Sequence, residues 1–185
     1  MELAAITWAT ELLDFVNHHR EWAGWVIFVL SVGETTPIVS MFIFSTPFMV
    51  GLGALVSTGD MDFLPIFLGA FAGSVTGSTM AWWVGTRFGE GILSWKPLAR
   101  RPDVVEKTHQ AMSRWGVWAV GVSHIFAPLT SVIYLIAGVA RVNFWRFQAA
   151  NVPGAFLWAF LIPKSGEWGG DLAQLFWHWF STAPQ

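Results

Sequence analysis

Two long apolar stretches, each interrupted near its middle by proline, glycine and small polar residues, constrain this chain more than any other feature. The first runs from Thr35 to Ser57 and the second from Trp115 to Ala140. A simple membrane-spanning helix needs about 20 apolar residues without interruption. Irregular backbone survives in hydrocarbon only where protein buries it or where it lines a wet cavity. The two segments therefore predict two re-entrant helical hairpins that face each other, an arrangement typical of transporter sites.

The low charge content indicates a membrane protein. Of the 185 residues, 54% are hydrophobic and 12% are charged, whereas about 25% of the residues in soluble domains are charged. The chain has 13 tryptophans, and most of them stand near the ends of apolar runs, as expected for side chains that anchor helices at the membrane interface. We therefore expect an all-α integral membrane protein with a single membrane domain over residues 1–185.

Several function classes are disfavoured by what the sequence lacks. The absence of cysteine excludes disulfides, thiolate chemistry and cysteine-based metal centres. No Ser–His–acid set or pair of acids at catalytic spacing is present, so we expect neither an enzyme nor a bound cofactor. His124 has no second histidine three or four residues away, so no metal site is predicted. A net charge of −2 without a large basic patch argues against nucleic acid as a partner.

Two further apolar stretches, the second with Asn151, Pro153 and Gly154 inside it, predict conventional transmembrane helices. They cover residues 62–84 and 147–163. The first carries Gly69, Gly73 and Gly77 at four-residue spacing, which allows another helix to approach closely. Helix packing within the chain is the simpler interpretation of this glycine stripe, and the stripe also permits a homodimer.

Two more polar stretches predict structure at the membrane surface. Residues 1–21 alternate apolar and polar side chains at helical spacing, which predicts an amphipathic interfacial helix. Residues 87–114 hold most of the basic side chains and are predicted to form a cytoplasmic loop by the positive-inside rule, with an amphipathic helix from Pro102. Each half of the chain then has an amphipathic entry, a broken segment and a continuous span. This plan indicates an inverted repeat in a multi-pass protein of the inner (plasma) membrane.

Two sets of motif residues carry a family resemblance. Residues 77–89 read GSTMAWWVGTRFG, which matches a pattern of the type G-D-x-x-x-Y-W-x-G-R-x-x-G with serine in place of the aspartate. The second set follows in chain order: Arg114-Trp115-Gly116, His124-Ile125-Phe126-Ala127-Pro128, Ala137-Gly138, Arg141, Arg146-Phe147, Asn151, Gly154-Ala155 and Trp158. From about Val29 to Trp158, the chain resembles the DedA family of membrane proteins, also called SNARE-associated or VTT-domain proteins.

The resemblance implies two re-entrant hairpins that meet at mid-membrane. It also implies movement of lipid between the two leaflets, notably undecaprenyl phosphate or phosphatidylethanolamine, coupled to protons or another cation. The working groups usual in the family are two acids near the first hairpin and two arginines near the second.

This chain departs from the family pattern at most of those positions. Glu34 matches the first acid, whereas the second acid aligns best with Thr46. The aspartate of the Gly-Asp motif is Ser78 in this chain. The first loop arginine aligns with His124, and the second aligns with Thr130 or Ser131, so the fixed positive charges of the family pattern are missing here.

Glu34 and His124 are the residues predicted to serve transport and proton coupling. A buried carboxylate is costly unless it is paired, and a carboxyl group that gains and loses a proton would suit coupling. The alternative is an interfacial or helix-capping role for Glu34. His124 offers a switchable positive charge for a phosphate headgroup. The alternative is a neutral histidine that bonds a backbone carbonyl freed by Pro128.

The remaining candidates are polar residues of the headgroup site or cavity. They are Thr46, Ser78, Thr130, Ser131, Arg141 and Asn151. The hydroxyl groups either bind a headgroup or satisfy the backbone of broken helices, which is their commoner role. Arg141 either holds a lipid phosphate or extends to the interface. Asn151 is predicted to hydrogen-bond across to a hairpin.

The preferred hypothesis for function is a DedA-type transporter that moves phospholipid or lipid phosphate between leaflets, with membrane lipids as its partners. The scarcity of fixed charges fits a zwitterionic headgroup better than a strongly anionic one. Two alternatives remain at this stage. The same cavity would serve a small-ion or oxyanion permease, and a chain that lacks the charges of the family pattern would serve as a membrane scaffold without transport.

Overall fold

All regular structure in the described part of the chain is helical. The computed structural model describes residues 11, 15–16, 18–36, 45–94, 102–124 and 127–181. The α-helices are α1 (Ala23–Thr35), α2 (Ser45–Ser57), α3 (Phe63–Phe88), α4 (Pro102–Trp115), α5 (Trp118–Ser123), α6 (Ala127–Val139) and α7 (Phe144–Ser181), with 3-10 turns at Arg20–Trp22 and Gly89–Ser94. The all-α class predicted from the sequence is confirmed.

Two of the predicted segments lie partly or largely outside the described residues. The interfacial helix predicted over residues 1–21 falls largely outside them. Residues 37–44, in the N-terminal part of the first broken segment (35–57), also lie outside. The structure therefore describes residues 35–36 and 45–57 of that segment.

Helix α3 is the one described helix that is both long and apolar enough to cross a membrane. Its 26 residues give a length of about 39 Å at 1.5 Å per residue, more than the hydrocarbon thickness of roughly 30 Å. It begins after Asp62, which has extended backbone, and ends at Gly89 with φ of 58°. Glycine adopts a positive φ without steric cost, and the helix does not continue through this conformation.

Helix α7 is a single helix of 38 residues that contains Pro153 and Pro163. It includes the predicted span at 147–163 and continues beyond it to Ser181. Each internal proline removes one backbone hydrogen bond. A helix of this kind is tolerated in membranes where neighbouring helices and hydroxyl side chains satisfy the freed groups.

A pair of short helices stands at each broken apolar segment. In the first pair, α1 precedes the predicted segment 35–57 and ends at Thr35, the chain is extended at Thr36, and α2 begins at Ser45. The middle of the predicted segment is therefore the start of α2. In the second pair, α5 ends at Ser123 and α6 begins at Ala127. The prolines of the second arms fall in the first helical turn, where the missing N–H would have no intrahelical partner in any case.

The two arms of each pair pack against different long helices. Helix α1 packs along α3 and α2 packs along α7, whereas α5 packs on α7 and α6 packs on α3. Glycines allow the close approach at each of these four interfaces. The stripe of Gly69, Gly73 and Gly77 faces α1, where an added Cβ would collide with backbone of Gly24, Phe28 and Val32 respectively. The stripe is therefore covered within the chain, and a homodimer would need a different surface.

Two of the helix crossings are built alike. A Cβ at Gly53 of α2 would meet the backbone of Pro163 and Glu167 on α7. A Cβ at Gly138 of α6 would meet the backbone of Trp82 and Thr86 on α3. In both crossings the glycine of the short helix faces two backbone positions four residues apart on the long helix.

The outer face of α3 is more apolar than its inner face. Leu64, Leu68 and Trp83 are more than half exposed, whereas Ser74 and Ser78 are buried. A soluble protein has the opposite distribution. Small residues at helix interfaces and large apolar side chains facing outward are typical of helices packed within lipid.

Candidate functional site

A small cavity lies where the two helix pairs meet. Its volume is about 20 Å³, and it is lined by Glu34, Thr35, Ser74, His124, Thr130 and Trp158. These residues come from the end of α1, the middle of α3, the end of α5, the start of α6 and the middle of α7. A cavity of this size holds one water molecule or one dehydrated ion.

Glu34 lies at the end of α1 and is 8% exposed. The Thr46 hydroxyl, at the start of α2, donates a long hydrogen bond of 3.4 Å to Glu34 Oε1. This bond connects the two arms of the first pair across residues 37–44. The structure thus brings together the one acid that matches the family pattern and the threonine that aligns with the second acid.

His124 follows directly after α5 and is 4% exposed. The Tyr134 hydroxyl lies 2.9 Å from Nε2 and 3.1 Å from Nδ1 of His124, so it stands beside the ring edge and can bond one nitrogen at a time. Gly154 of α7 leaves space for the imidazole, because a Cβ there would lie 2.8 Å from His124 Nδ1. Tyrosine and glycine together fix the position of the ring at the cavity.

Tyr134 is fully buried on α6 and packs edge-on against Phe147 of α7, with ring centroids 6.0 Å apart. We expect Tyr134→Phe to lower the free energy of unfolding by about 1–3 kcal/mol, because a ring nitrogen of His124 loses its buried partner. The aromatic contact with Phe147 is retained in this variant. Unfolding of the purified protein in detergent measures the change.

A His124→Leu background is the control for this prediction. In that background Tyr134→Phe is expected to cost much less, because the imidazole partner has already gone. An equal loss of stability in both backgrounds would show that the Tyr134 hydroxyl acts through another group.

Some of the hydroxyl groups predicted for the site lie at the cavity, and others only bond backbone carbonyls. Thr130 lines the cavity, and its hydroxyl donates to the carbonyl oxygen of Ser123 at 2.7 Å, which ties the start of α6 to the end of α5. The Ser78 hydroxyl is buried and donates to the carbonyl of Val75 in its own helix. Ser131 is buried on α6 but does not line the cavity.

Asn151 and Arg141 lie away from the cavity. Asn151 is buried and donates to Gln148 Oε1 on its own helix at 2.9 Å. Gln148 makes the connection between helices instead, by donating to Thr79 Oγ1 of α3 at 2.7 Å. Arg141 is exposed, with φ of 52°, in the turn after α6. The helix separates it from Thr130 by roughly 14 Å.

Four residues of the site were missed by the sequence analysis. Thr35, Ser74 and Trp158 line the cavity, and Tyr134 bonds His124. Trp158 was noted as a residue of the family motif but not as a site residue, and Ser74 carried only the signal of helix packing. Tyr134 is the single tyrosine of the chain. It lies one helical turn after Thr130 and therefore on the same helix face, which is the sequence signal that could have identified it.

The sequence comparison decides the family. The family model described as the VTT domain matches residues 43–167, which is more than half of the chain. The chain belongs to the VTT-domain family, that is, the DedA family of membrane proteins. The match includes every cavity residue except Glu34 and Thr35, which precede it.

Curated proteins of the DedA family are recognisably similar to the chain. It is 23% identical to inner membrane protein YabI of Escherichia coli (strain K12) over 147 residues, which is 80% of this chain and 58% of YabI. It is 24% identical to protein DedA of the same strain over 165 residues, which is 87% of this chain and 75% of that protein. An uncharacterized membrane protein of Mycobacterium tuberculosis (strain ATCC 25618 / H37Rv) is 32% identical over 119 residues, 60% of this chain and 54% of that protein.

The similarity to these relatives shows that the chain is a membrane protein and does not show its activity. The chain spans little more than half the length of YabI. No solved structure matches the chain significantly. The names of the relatives support a location in a membrane. The cavity is the structural feature that bears on function.

Proposed function

We propose that this protein moves a phospholipid or lipid phosphate between the leaflets of the inner membrane. The observation that carries the proposal is the buried cavity at the junction of both broken helix pairs, with Glu34 and His124 in its wall. Ionisable side chains inside a membrane protein are costly and mark pathways of substrates or ions by default. An enzymatic reaction is not part of the proposal.

The two helix pairs act as re-entrant hairpins of an inverted repeat. The support comes from the two matching crossings, of α2 on α7 at Gly53 and of α6 on α3 at Gly138, which have the same spacing of backbone contacts. Their arms are distributed over the two long helices in the reverse order. Short helices that end at a shared polar site are typical of transporters built from inverted repeats, and such a protein crosses the membrane several times.

Each helix pair presents opposite partial charges at the junction. The first arms, α1 and α5, end there, and the second arms, α2 and α6, begin there. Helix N-termini attract phosphate groups, and the hydroxyl groups of Thr46 and Thr130 stand in those first turns. In the proposed mechanism these groups contact the headgroup, His124 supplies a positive charge when protonated, and Glu34 carries the coupled proton.

Leaflet-to-leaflet movement of fluorescent phospholipids in proteoliposomes tests the proposal. The measurement compares vesicles with and without the protein, and with and without a pH gradient. Movement above that of protein-free vesicles is expected, faster for zwitterionic than for strongly anionic headgroups. Movement that depends on the gradient identifies a coupled pump, and movement without it identifies a scramblase.

A small-ion permease is the second candidate. The cavity of about 20 Å³ has room for an ion and must widen before a headgroup can enter. Ion flux through proteoliposomes without movement of any lipid would favour the permease. The absence of both activities would favour a scaffold without transport.

A further inference from the structure

We propose that a second pocket, beside the turn between α2 and α3, binds a phospholipid headgroup that carries both a phosphate and a primary ammonium group. The pocket has a volume of about 230 Å³ and is lined by Arg20, Asp60 and Asp62 together with Ala23, Met61 and Pro65. It shares no lining residue with the cavity between the helix pairs. Binding does not require lipid movement, and only the use of the pocket as an entry or exit point for a transported lipid rests on the proposed function.

The pocket lies at the level of the membrane surface. Its residues come from the turns that precede α1 and α3, and α3 is long enough to reach from here to the opposite surface. Trp22 and Trp25 follow Arg20 in the chain and are more than half exposed, as expected for aromatic side chains among headgroups. Phospholipid headgroups are therefore the ligands that surround this pocket in the membrane.

Arg20 has hydrogen-bond donors left for a phosphate. Its Nη2 atom donates to Asp60 Oδ1 at 3.3 Å, and both side chains are about half exposed. A guanidinium has five N–H donors in a planar fork, and two of them bind a phosphate side by side. The contact with Asp60 uses one donor, so Arg20 can bind a phosphate without leaving the carboxylate.

Asp60 is held in position by a second contact. The Thr58 hydroxyl donates to Asp60 Oδ2 at 2.6 Å, across a turn in which Gly59 has φ of 78°. The carboxylate is thus fixed between a hydroxyl and a guanidinium. Two carboxylate oxygens accept about four hydrogen bonds, which leaves acceptor sites for an ammonium group.

Asp62 lines the pocket without serving the helix beside it. It stands at the N-cap position of α3, but its side chain makes no capping hydrogen bond. An N-cap side chain bonds the N–H of the second or third helical residue. The third residue of α3 is Pro65, which has no N–H. The exposed carboxylate of Asp62 therefore remains available to a ligand in the pocket.

The charges of the pocket select a headgroup with both signs of charge. The described lining carries one guanidinium and two carboxylates, so an anionic headgroup meets a net negative charge, whereas a zwitterion pairs its phosphate with Arg20 and its cation with the aspartates. A primary ammonium has three N–H donors for two carboxylates. A quaternary ammonium has none and is recognised by aromatic rings, and none of the described lining residues is aromatic.

The size of the pocket agrees with a headgroup alone. Its volume of about 230 Å³ is below the roughly 300–1,000 Å³ of pockets that enclose drug-sized ligands. The acyl chains of the bound lipid would therefore stay outside the pocket, in the bilayer.

Native mass spectrometry of the full chain tests the proposal. Short-chain phosphatidylethanolamine, phosphatidylcholine or phosphatidylglycerol is added to the purified protein, and the dissociation constant of the first bound lipid is measured. Phosphatidylethanolamine should bind most tightly. Asp62→Asn should weaken its binding by roughly tenfold, at the lower end for a charged hydrogen bond because the side chain is exposed. Asp60→Asn combined with Asp62→Asn leaves only Arg20 charged in the described lining and should shift the preference to phosphatidylglycerol.

Asp171→Asn is the matched control. Asp171 is exposed at the same end of the molecule, next to Gly170, which packs against Ser57 at the end of α2, and it does not line the pocket. This variant should bind phosphatidylethanolamine as the wild type does, and thermal unfolding verifies that every variant is folded.

Equal affinity of the wild type for the three lipids, or equal affinity of Asp62→Asn and Asp171→Asn for phosphatidylethanolamine, would overturn the proposal. Selective binding without lipid movement in proteoliposomes would keep the pocket and reject the lipid-transport function. Lipid movement without selective binding would reject the pocket and leave the proposed function standing.

Discussion

Replacing Glu34 with glutamine is expected to slow lipid movement by roughly 10- to 100-fold, the factor that corresponds to loss of a charged hydrogen-bonding group worth about 1.5–3 kcal/mol. Glutamine keeps the shape of the side chain and an oxygen that accepts from Thr46. It cannot take up or release a proton, so any dependence of lipid movement on a pH gradient should vanish. The fluorescent-lipid assay in proteoliposomes measures both effects.

Stability separates this effect from misfolding. Glutamine fills the same space as glutamate and removes a buried charge, so the Glu34→Gln protein should unfold at the same temperature as the wild type or higher. Glu106→Gln is the matched control, because Glu106 is exposed on α4 and bonds only Gln110 in the described structure. Unchanged lipid movement in Glu34→Gln would remove Glu34 from the mechanism.

The second large effect is expected at the crossing of α2 and α7. A Cβ at Gly166 would collide with the carbonyl oxygen of Val50 and would lie 3.0 Å from its Cα. Because both contacts are with backbone, no side chain can rotate away, and the helices must separate. Gly166→Ala should therefore destabilise the protein by about 3 kcal/mol, at the upper end for overpacking, and lower the unfolding temperature by roughly 6–12 °C.

Gly169→Ala gives the opposite expectation from the same helix. Nothing lies within 4 Å of a Cβ at Gly169, and alanine is favoured over glycine in a helix by about 1 kcal/mol. This variant should be as stable as the wild type or more stable. Thermal unfolding followed by circular dichroism in detergent compares the two. Equal behaviour of the two variants would contradict the packing of α2 on α7.

The sequence predicted the all-α class because this class depends on local composition. The break between α5 and α6 lies inside the second predicted segment, next to Pro128, a residue that starts a helix more readily than it continues one. The family motif and the apolar run that gives α3 are also local signals. The exchange of partners, with α1 and α6 on one long helix and α2 and α5 on the other, depends on contacts between distant residues and carries no local signal.

Local signals and long-range contacts also explain which site residues were predicted and which were missed. Glu34 and His124 were predicted because a charged or titratable group in an apolar run is conspicuous, and the structure places both at one cavity. Ser74 and Trp158 were missed because their composition fits packing and anchoring equally well, and only the tertiary fold turns them toward the break. Arg141 was predicted as a headgroup ligand from its charge, but its turn places it about the length of α6 from the cavity.

The exchange of partners has a mechanical consequence. Helices α1 and α6 both pack on α3, which makes one half of the helix arrangement, and α2 and α5 both pack on α7, which makes the other; α3 and α7 also pack on each other. The four oxygen-bearing residues of the cavity wall all belong to the first half, whereas His124 and Trp158 belong to the second.

A small sliding of one half against the other would therefore move His124 and Trp158 away from the opposite wall of the cavity. The oxygen-bearing residues of that wall would keep their positions relative to one another. In such an arrangement, access to the cavity changes while the side chains of the first half stay in place. The contacts between the two halves would then control access to the cavity, and the contacts within the first half would control the geometry of its oxygen-bearing residues.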